Sequence, residues 1–289
     1  MSGFSPDWLA LREPFDAAAR SAPLVAALRA HLPAGTGATP LPVVDLGAGA
    51  GSNLRYLAPL LGGVQHWRLV DHDAALLHAA LDVTSAWAEA LGARVERRAE
   101  ALAIRALDFA CEVVVEPYDL RDLATLALPA GALVTAAALL DLVAATWLEK
   151  LARRCEEARA SVCFALTYDG RTVCTPAEPE DAAVLAAFNR HQLGDKGFGP
   201  ALGPGAARAA EAAFARVGYE VATAPSDWLI DARAHEMQRA LLDGWRDAAL
   251  ELHSGTSAEL GAWHERRLAH VAAGRSTLRV GHVDLVGWL

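Results

Sequence analysis

Val43-Val44-Asp45-Leu46-Gly47-Ala48-Gly49-Ala50-Gly51-Ser52-Asn53 is the stretch on which the fold turns. A short apolar run carries an acid near its end, and three glycines follow at alternate positions. Leu54, Leu57, Leu60 and Leu61 then recur at helical spacing. The pattern is strand, tight turn, helix. Alternate glycines let the backbone turn sharply off a strand and leave it bare where a ligand approaches. The helix after them presents unpaired N–H groups. In an open α/β sheet, ligands sit at the carboxyl ends of the strands, near the point where strand order reverses.

The same unit repeats downstream. Trp67-Arg68-Leu69-Val70 reads as a strand ending at Asp71, and Leu76, Leu77, Ala80, Leu81 and Trp87 mark the helix after it. Residues 92–107 read as a further helix. Strands follow at 111–115, leading into Pro117-Tyr118-Asp119-Leu120, at 132–135 with a helix over 143–158, and at 161–167. Such alternation predicts a parallel sheet covered on both faces. The expected fold is α/β: a doubly wound, mostly parallel seven-stranded sheet with helices on both faces and an antiparallel final strand. Runs at 218–224 and 277–289 complete it. Residues 1–289 form one domain. Residues 1–33 form an N-terminal helical cap, punctuated by Pro14 and Pro23. Residues 169–204 form an insertion over the substrate pocket, with a helix at 181–191 and a glycine-rich loop at 194–205. Further helices are expected at 205–216, 233–253 and 256–273.

The loop excludes two ligand classes. A dinucleotide fingerprint needs a glycine at its sixth position, but the residue there is Ser52 counted from Gly47, or Leu54 counted from Gly49. A phosphate-cradling loop needs Lys after the last glycine, and none follows. An acid at the end of the next strand, Asp71, lies 20 residues beyond Gly51 and can accept from two ribose hydroxyls. Asp73 competes for that place. Asp71 could instead cap a helix, and Asp119 could be a turn residue.

The remaining pattern, D-x-G-x-G-x-G after a strand, resembles motif I of the class I, Rossmann-like S-adenosylmethionine-dependent methyltransferases. The resemblance covers residues 40–170 and the closing strands. It implies S-adenosyl-L-methionine as cofactor and S-adenosyl-L-homocysteine as product. It places Asp45, Gly47, Gly49, Gly51 and Asn53 at the methionine end, Asp71 and His72 at the ribose, and Asp119 with Leu120 at the adenine. Ala136, Ala137 and Asp141 fall on the loop beside the methyl group. N-terminal helices in such proteins often cap the cofactor pocket.

Methyl transfer from a sulfonium is a direct displacement, so the protein chiefly aligns donor and acceptor. A neutral OH or NH acceptor calls for a base, whereas a thiol or an amine of suitable pKa does without one. Asp141, His191 and Tyr168 are the catalytic candidates, with Asp169 beside Tyr168. Arg12, Arg190, Lys196 and Phe198 are the substrate-binding candidates, and Arg20 stands with Arg12 as a carboxylate partner. His282, inside the last strand, reads as a satisfied buried histidine. No metal site is expected: His264 and His270 are six residues apart, the wrong helical spacing.

The totals bound the partners. Of 289 residues, 53% are hydrophobic and 21% charged, which supports a large core. The formal net charge is −9, without a dense Lys/Arg run, which argues against nucleic acid and for a small-molecule substrate. The four cysteines lack CxxC spacing and read as buried reduced thiols of a cytoplasmic protein. Acids and an arginine near the N-terminus break any secretion-signal core. The apolar stretch 131–148 contains Asp141 and reads as strand, loop and helix start rather than a membrane span. A monomer or homodimer is expected. The rival functions are an NAD(P)-dependent oxidoreductase and a non-catalytic S-adenosylmethionine-binding module.

Overall fold

A computed structural model describes residues 5–289; residues 1–4, the start of the expected cap, lie outside the described residues. Helix α1 (Pro6–Ala19) begins where Ser5 accepts from the Trp8 amide, and it continues through Pro14 rather than stopping there. Helix α2 (Ala22–His31) starts at Ser21 with Pro23 in its first turn, where a missing N–H costs nothing. There follow β1 (Leu41–Leu46), α3 (Ser52–Leu61), β2 (Gly63–Asp71), α4 (Ala74–Ala90), β3 (Arg94–Arg97), β4 (Ala101–Arg105) and β5 (Phe109–Pro117). The second half comprises β6 (Leu133–Ala137), α5 (Ala145–Glu157), β7 (Ser161–Thr175), α6 (Asp181–His191), α7 (Ala206–Arg216), β8 (Glu220–Pro225), β9 (Trp228–Ile230), α8 (His235–Glu251), α9 (Ser257–Ala272) and β10 (Thr277–Trp288).

The sheet has ten strands in the order β3-β4-β5-β2-β1-β6-β7-β10-β8, with β9 also paired to β10. Strands β5, β2, β1, β6 and β7 run parallel, and β10 lies antiparallel to β7 and β8. The seven expected strands are the series from β5 to β8. Strands β3, β4 and β9 are additions that the sequence reading did not contain.

The largest correction concerns residues 92–107, which form the antiparallel β3–β4 hairpin beside β5 and not a helix. Leu102 and Ile104 are buried against α4 while Ala103 and Arg105 turn away, a period of two. Arg94, Glu96 and Arg97 stand exposed on β3 and guard the sheet edge. Strand β9 is three residues long, too short to show any period.

Pleat alternation sends successive residues of β1 to opposite faces. Val44 and Leu46 join α5 and α7 in one core, and Val43 joins α2, α3 and α4 in another. A third core lies where the far halves of β7 and β10 meet α6, α8 and α9, with Trp8, Leu11 and Phe15 of α1 against it. Residues 169–175 therefore continue β7 rather than leaving the sheet. Arg267, fully buried, pairs with Asp181 and ties α9 to α6. The loop after α6 crosses back over the 3-10 turn Leu140–Leu142, where the Leu202 amide donates to the Val143 carbonyl at 2.9 Å. Among the described residues, no helix is long and apolar enough to cross a membrane.

Candidate functional site

The site begins with one row across the sheet. Asp45 of β1 is in register with Thr135 of β6, which is in register with Cys163 of β7, so all three face α3. Asp45 is fully buried. Asn53, in the first turn of α3, donates from Nδ2 to Asp45 Oδ1 at 2.6 Å and to Thr135 Oγ1 at 3.0 Å. Arg20, at the end of α1, donates from Nη1 to Asn53 Oδ1 at 2.6 Å and lies over the Tyr56 ring at 4.2 Å. Burial lifts the Asp45 carboxyl to about 7, against the Asn53 hydrogen bond and the Arg20 charge. Asp45 Oδ2 and Arg20 Nε are buried without partners.

Above this row lies the glycine loop. Gly47, Gly49 and Gly51 have φ of 65°, 51° and 79°, so each adopts the left-handed region that alternate glycines were expected to supply. Asp71 holds the loop: Oδ2 accepts from the Gly49 amide at 2.9 Å and Oδ1 from the Asp73 amide at 3.0 Å. Each oxygen keeps a second lone pair, which leaves Asp71 able to accept from ribose hydroxyls. Asp73 is the cap of α4, accepting from the Ala75 and Leu76 amides. His72 is exposed, 3.1 Å from Asp71 Oδ1. Asp119 is exposed at the end of β5 and is drawn down to about 2, chiefly by hydrogen bonds from Arg121. The Tyr118 amide donates to the Asp71 carbonyl at 2.8 Å, so the predicted ribose and adenine residues meet at adjacent strand ends. Leu120 and Ala136 belong to the core, whereas Ala137 faces the loop.

Ala138 follows β6 with φ 52°, an uncommon conformation for a residue with a side chain. It turns the chain so that Leu139 lies under Gly47, its Cδ1 3.4 Å from where a Cβ would stand. Helix α1 covers the loop from the other side, with Leu9 Cδ1 3.3 Å from the corresponding point on Gly49. Glu13 of α1 makes a two-pronged pair with Arg55 of α3, at 2.7 and 2.6 Å. The enclosed hollow between α1 and the loop measures about 50 Å³ and is lined by Arg12, Asp16, Asp45, Gly49 and Ala137. A neighbouring hollow of about 350 Å³ shares Asp16, Asn53 and Ala137 and runs outward along α3 to Leu60 and Trp87. The hollow over the glycines is smaller than the roughly 300 Å³ of an ordinary ligand pocket, because Leu9, Arg12, Glu13 and Asp16 of α1 lie over it. The orphaned Asp45 oxygen and the bare loop fit the ammonium end of an amino-acid-bearing cofactor.

On the acceptor side the structure gathers some candidates and disperses others. Asp141 lies buried on the 3-10 turn with Oδ1 unpartnered; burial raises its carboxyl to about 6. Tyr168, buried at the centre of β7, donates to Asn189 Oδ1 at 2.7 Å, and burial holds its phenol near 12. Arg12 pairs with Asp16 and lies 5.0 Å over the Trp228 ring. His191 instead bonds Glu251 at 2.8 Å, with Lys196 3.4 Å from its other nitrogen. Arg190 bonds Ser254 at 2.9 Å. Phe198 packs edge-on to Trp147 at 5.6 Å, away from the loop. His282 was expected to be satisfied, but its Nδ1 has no partner. Asp16, Thr135 and Trp228 were missed in the sequence reading. Asp16 carried a faint signal, four residues after Arg12 on one helix face; Thr135 and Trp228 carried none, since only register and β9 bring them in.

No family model and no curated protein matches the sequence. Among solved structures, the chain is similar to a cyclopropane-fatty-acyl-phospholipid synthase-like protein from Lactobacillus casei, with TM-score 0.49 and 13% identity over 99% of this chain and 95% of that one. It is similar to an S-adenosylmethionine-dependent methyltransferase from Thiobacillus denitrificans in complex with S-adenosyl-L-homocysteine, with TM-score 0.45 and 15% identity over 99% of each chain. It is also similar to a cyclopropane synthase from Mycobacterium tuberculosis, with TM-score 0.44 and 9% identity over 92% and 83%. At this level of likeness the functional reading rests on the chain's own residues.

Proposed function

We propose that the protein is an S-adenosylmethionine-dependent methyltransferase acting on a small-molecule acceptor. The observation that carries this reading is Asp45: a fully buried carboxylate beneath three left-handed glycines, with one oxygen free. Asp45 and Asn53 would hold the methionine end, Asp71 the ribose, and Asp119 with the Leu120 turn the adenine. Bound there, the cofactor supplies a methyl group already activated on sulfur. The chain's own residues do the rest. Helix α1 closes over the loop and excludes water, Ala137 leaves room beside the glycines, and Asp141 and Tyr168 face the acceptor side. The net charge of −9 and the confined hollows support a small acceptor over nucleic acid. Four free buried cysteines support a reducing, cytoplasmic setting.

A second reading, binding without turnover, draws on one feature: the acceptor side is filled by Arg12 and Trp228. The experiment for both is calorimetric titration with S-adenosylhomocysteine, repeated with NADH and with Asp71→Ala. Micromolar binding of the first, none of NADH, and a loss of at least about tenfold in the variant support the cofactor. A folded protein that binds only NADH, or neither, sinks the methyltransferase reading.

A further inference from the structure

Around Arg12 the chain assembles groups that each accept hydrogen bonds or positive charge. Asp16 Oδ2 accepts from Arg12 Nε at 2.8 Å, and Oδ1 from Arg12 Nη2 at 3.2 Å and Trp228 Nε1 at 3.0 Å. The guanidinium lies over the Trp228 ring. The His282 ring is 4.6 Å from that of Trp228 and 6.0 Å from that of Tyr168. Burial, and then the Arg12 charge, push the His282 imidazole down to about 3. The residue is 4% exposed and its Nδ1 is buried without a partner. Asp141 also feels the Arg12 charge, and its Oδ1 is buried without a partner.

Buried polar atoms without partners are costly, and two of them, Asp141 Oδ1 and His282 Nδ1, belong to groups that feel the Arg12 charge. The cation over the indole comes from α1, the element that covers the glycine loop; Lys196 also acts on Asp141 and Arg171 on His282. When α1 lifts, Arg12 leaves with it. Asp16, on the same helix, leaves too, and Trp228, Asp141 and His282 are then left as an aromatic face with acceptors around it. We propose that Arg12 is an internal stand-in for a cationic amine, and that Trp228, Asp141 and His282 form the site such an amine takes when α1 lifts. An ammonium group replaces guanidinium on the indole face, and its N–H groups supply the donors that Asp141 and His282 lack. Alcohols and thiols offer a single donor and no charge. This inference rests on the methyltransferase reading only for what becomes of the amine: after the ammonium gives one proton to water, its nitrogen lone pair would form the bond to the methyl carbon, and the sulfur–carbon bonding pair would stay on sulfur.

The test is binding, read by calorimetry with benzylamine and, as the neutral match, benzyl alcohol. Arg12→Ala removes the competing cation, and the expected result is benzylamine affinity at least tenfold above the wild type with no gain for benzyl alcohol. Adding His282→Phe or Trp228→Leu to Arg12→Ala should cancel most of that gain, while His282→Asn, which keeps an acceptor, should retain part of it. Circular dichroism confirms that each variant is folded. Weaker or unchanged benzylamine binding by folded Arg12→Ala overturns the inference and makes Arg12 a ligand-binding residue. Equal gains for amine and alcohol overturn it too, by showing mere opening of space. S-adenosylhomocysteine titration of the wild type separates the two readings: cofactor binding without an amine gain sinks the amine site alone, and an amine gain without cofactor binding sinks the methyltransferase alone.

Discussion

Arg20 and Asn53 are joined at 2.6 Å, Nη1 to Oδ1, and through that bond the end of α1 is wired to Asp45 beneath the glycine loop. The amide of Asn53 serves both sides: its oxygen takes the guanidinium and its nitrogen gives to the carboxylate. Helix α1 is thus anchored at its hinge end by the same residue that steadies the candidate cofactor acid.

Asp45 sets a pH dependence. Its folded-state value of about 7 lies above the ordinary carboxylate range, so the folded protein holds a proton that the unfolded chain has released. The stability from that proton is fully present below about pH 4 and is lost as pH rises through 7. Asp45→Asn should therefore be more stable than the wild type at pH 8 by about 2 kcal/mol, with a smaller difference at pH 5. Urea denaturation at the two pH values checks it; an equal difference at both contradicts the assignment.

Glu13 latches α1. Its two-pronged pair with Arg55 spans α1 and α3, and Arg55 also reaches the Ala50 carbonyl at 2.7 Å. Glu13→Gln should weaken the latch by about 1 kcal/mol and speed S-adenosylhomocysteine association about fivefold. Stopped-flow Trp fluorescence measures the rate, and an unchanged value shows that α1 does not gate the loop.

Gly49 is the loop position that α1 covers most directly. With φ 51° and Leu9 at 3.3 Å, an added methyl meets both backbone strain and α1. Gly49→Ala should cost about 1–2 kcal/mol of stability. Its affinity for S-adenosylhomocysteine should fall by about tenfold or more, read by calorimetry beside a thermal melt.

Asp284 joins three distant elements. Its Oδ1 accepts from Leu166, whose φ of 56° interrupts β7, and its Oδ2 accepts from Ser21 at the start of α2, both at 2.9 Å. Asp284→Ala leaves two amides without acceptors and should cost about 3 kcal/mol. Chemical denaturation reads the loss, and a change below about 1 kcal/mol would show that water replaces the carboxylate.

Much of the site was legible because its signals are local. Alternate glycines after an apolar run report their own backbone, and Asp71 announces a strand end by position. Composition misled at 92–107, where Ala and Leu favour a helix in isolation. Pairing with β5 overrode that preference and buried Leu102 and Ile104 at a period of two. His191, Arg190 and Lys196 look like a polar lid as a string of letters, yet α8 and the following turn supply Glu251 and Ser254 as their partners.

By itself, then, the sequence determined the strand–turn–helix unit, the order of the parallel strands and the acid beneath the glycines, since each depends on residues within a turn or two of one another. Tertiary structure decided which of the candidates meet. Thr135 faces Asp45 only through strand register, and His282 meets the Trp228 ring only because β9 pairs with β10. Arg12 becomes a cation over an indole only because α1 crosses a strand more than two hundred residues away. A buried polar group is satisfied or orphaned by what the whole chain places beside it, and no local pattern records that.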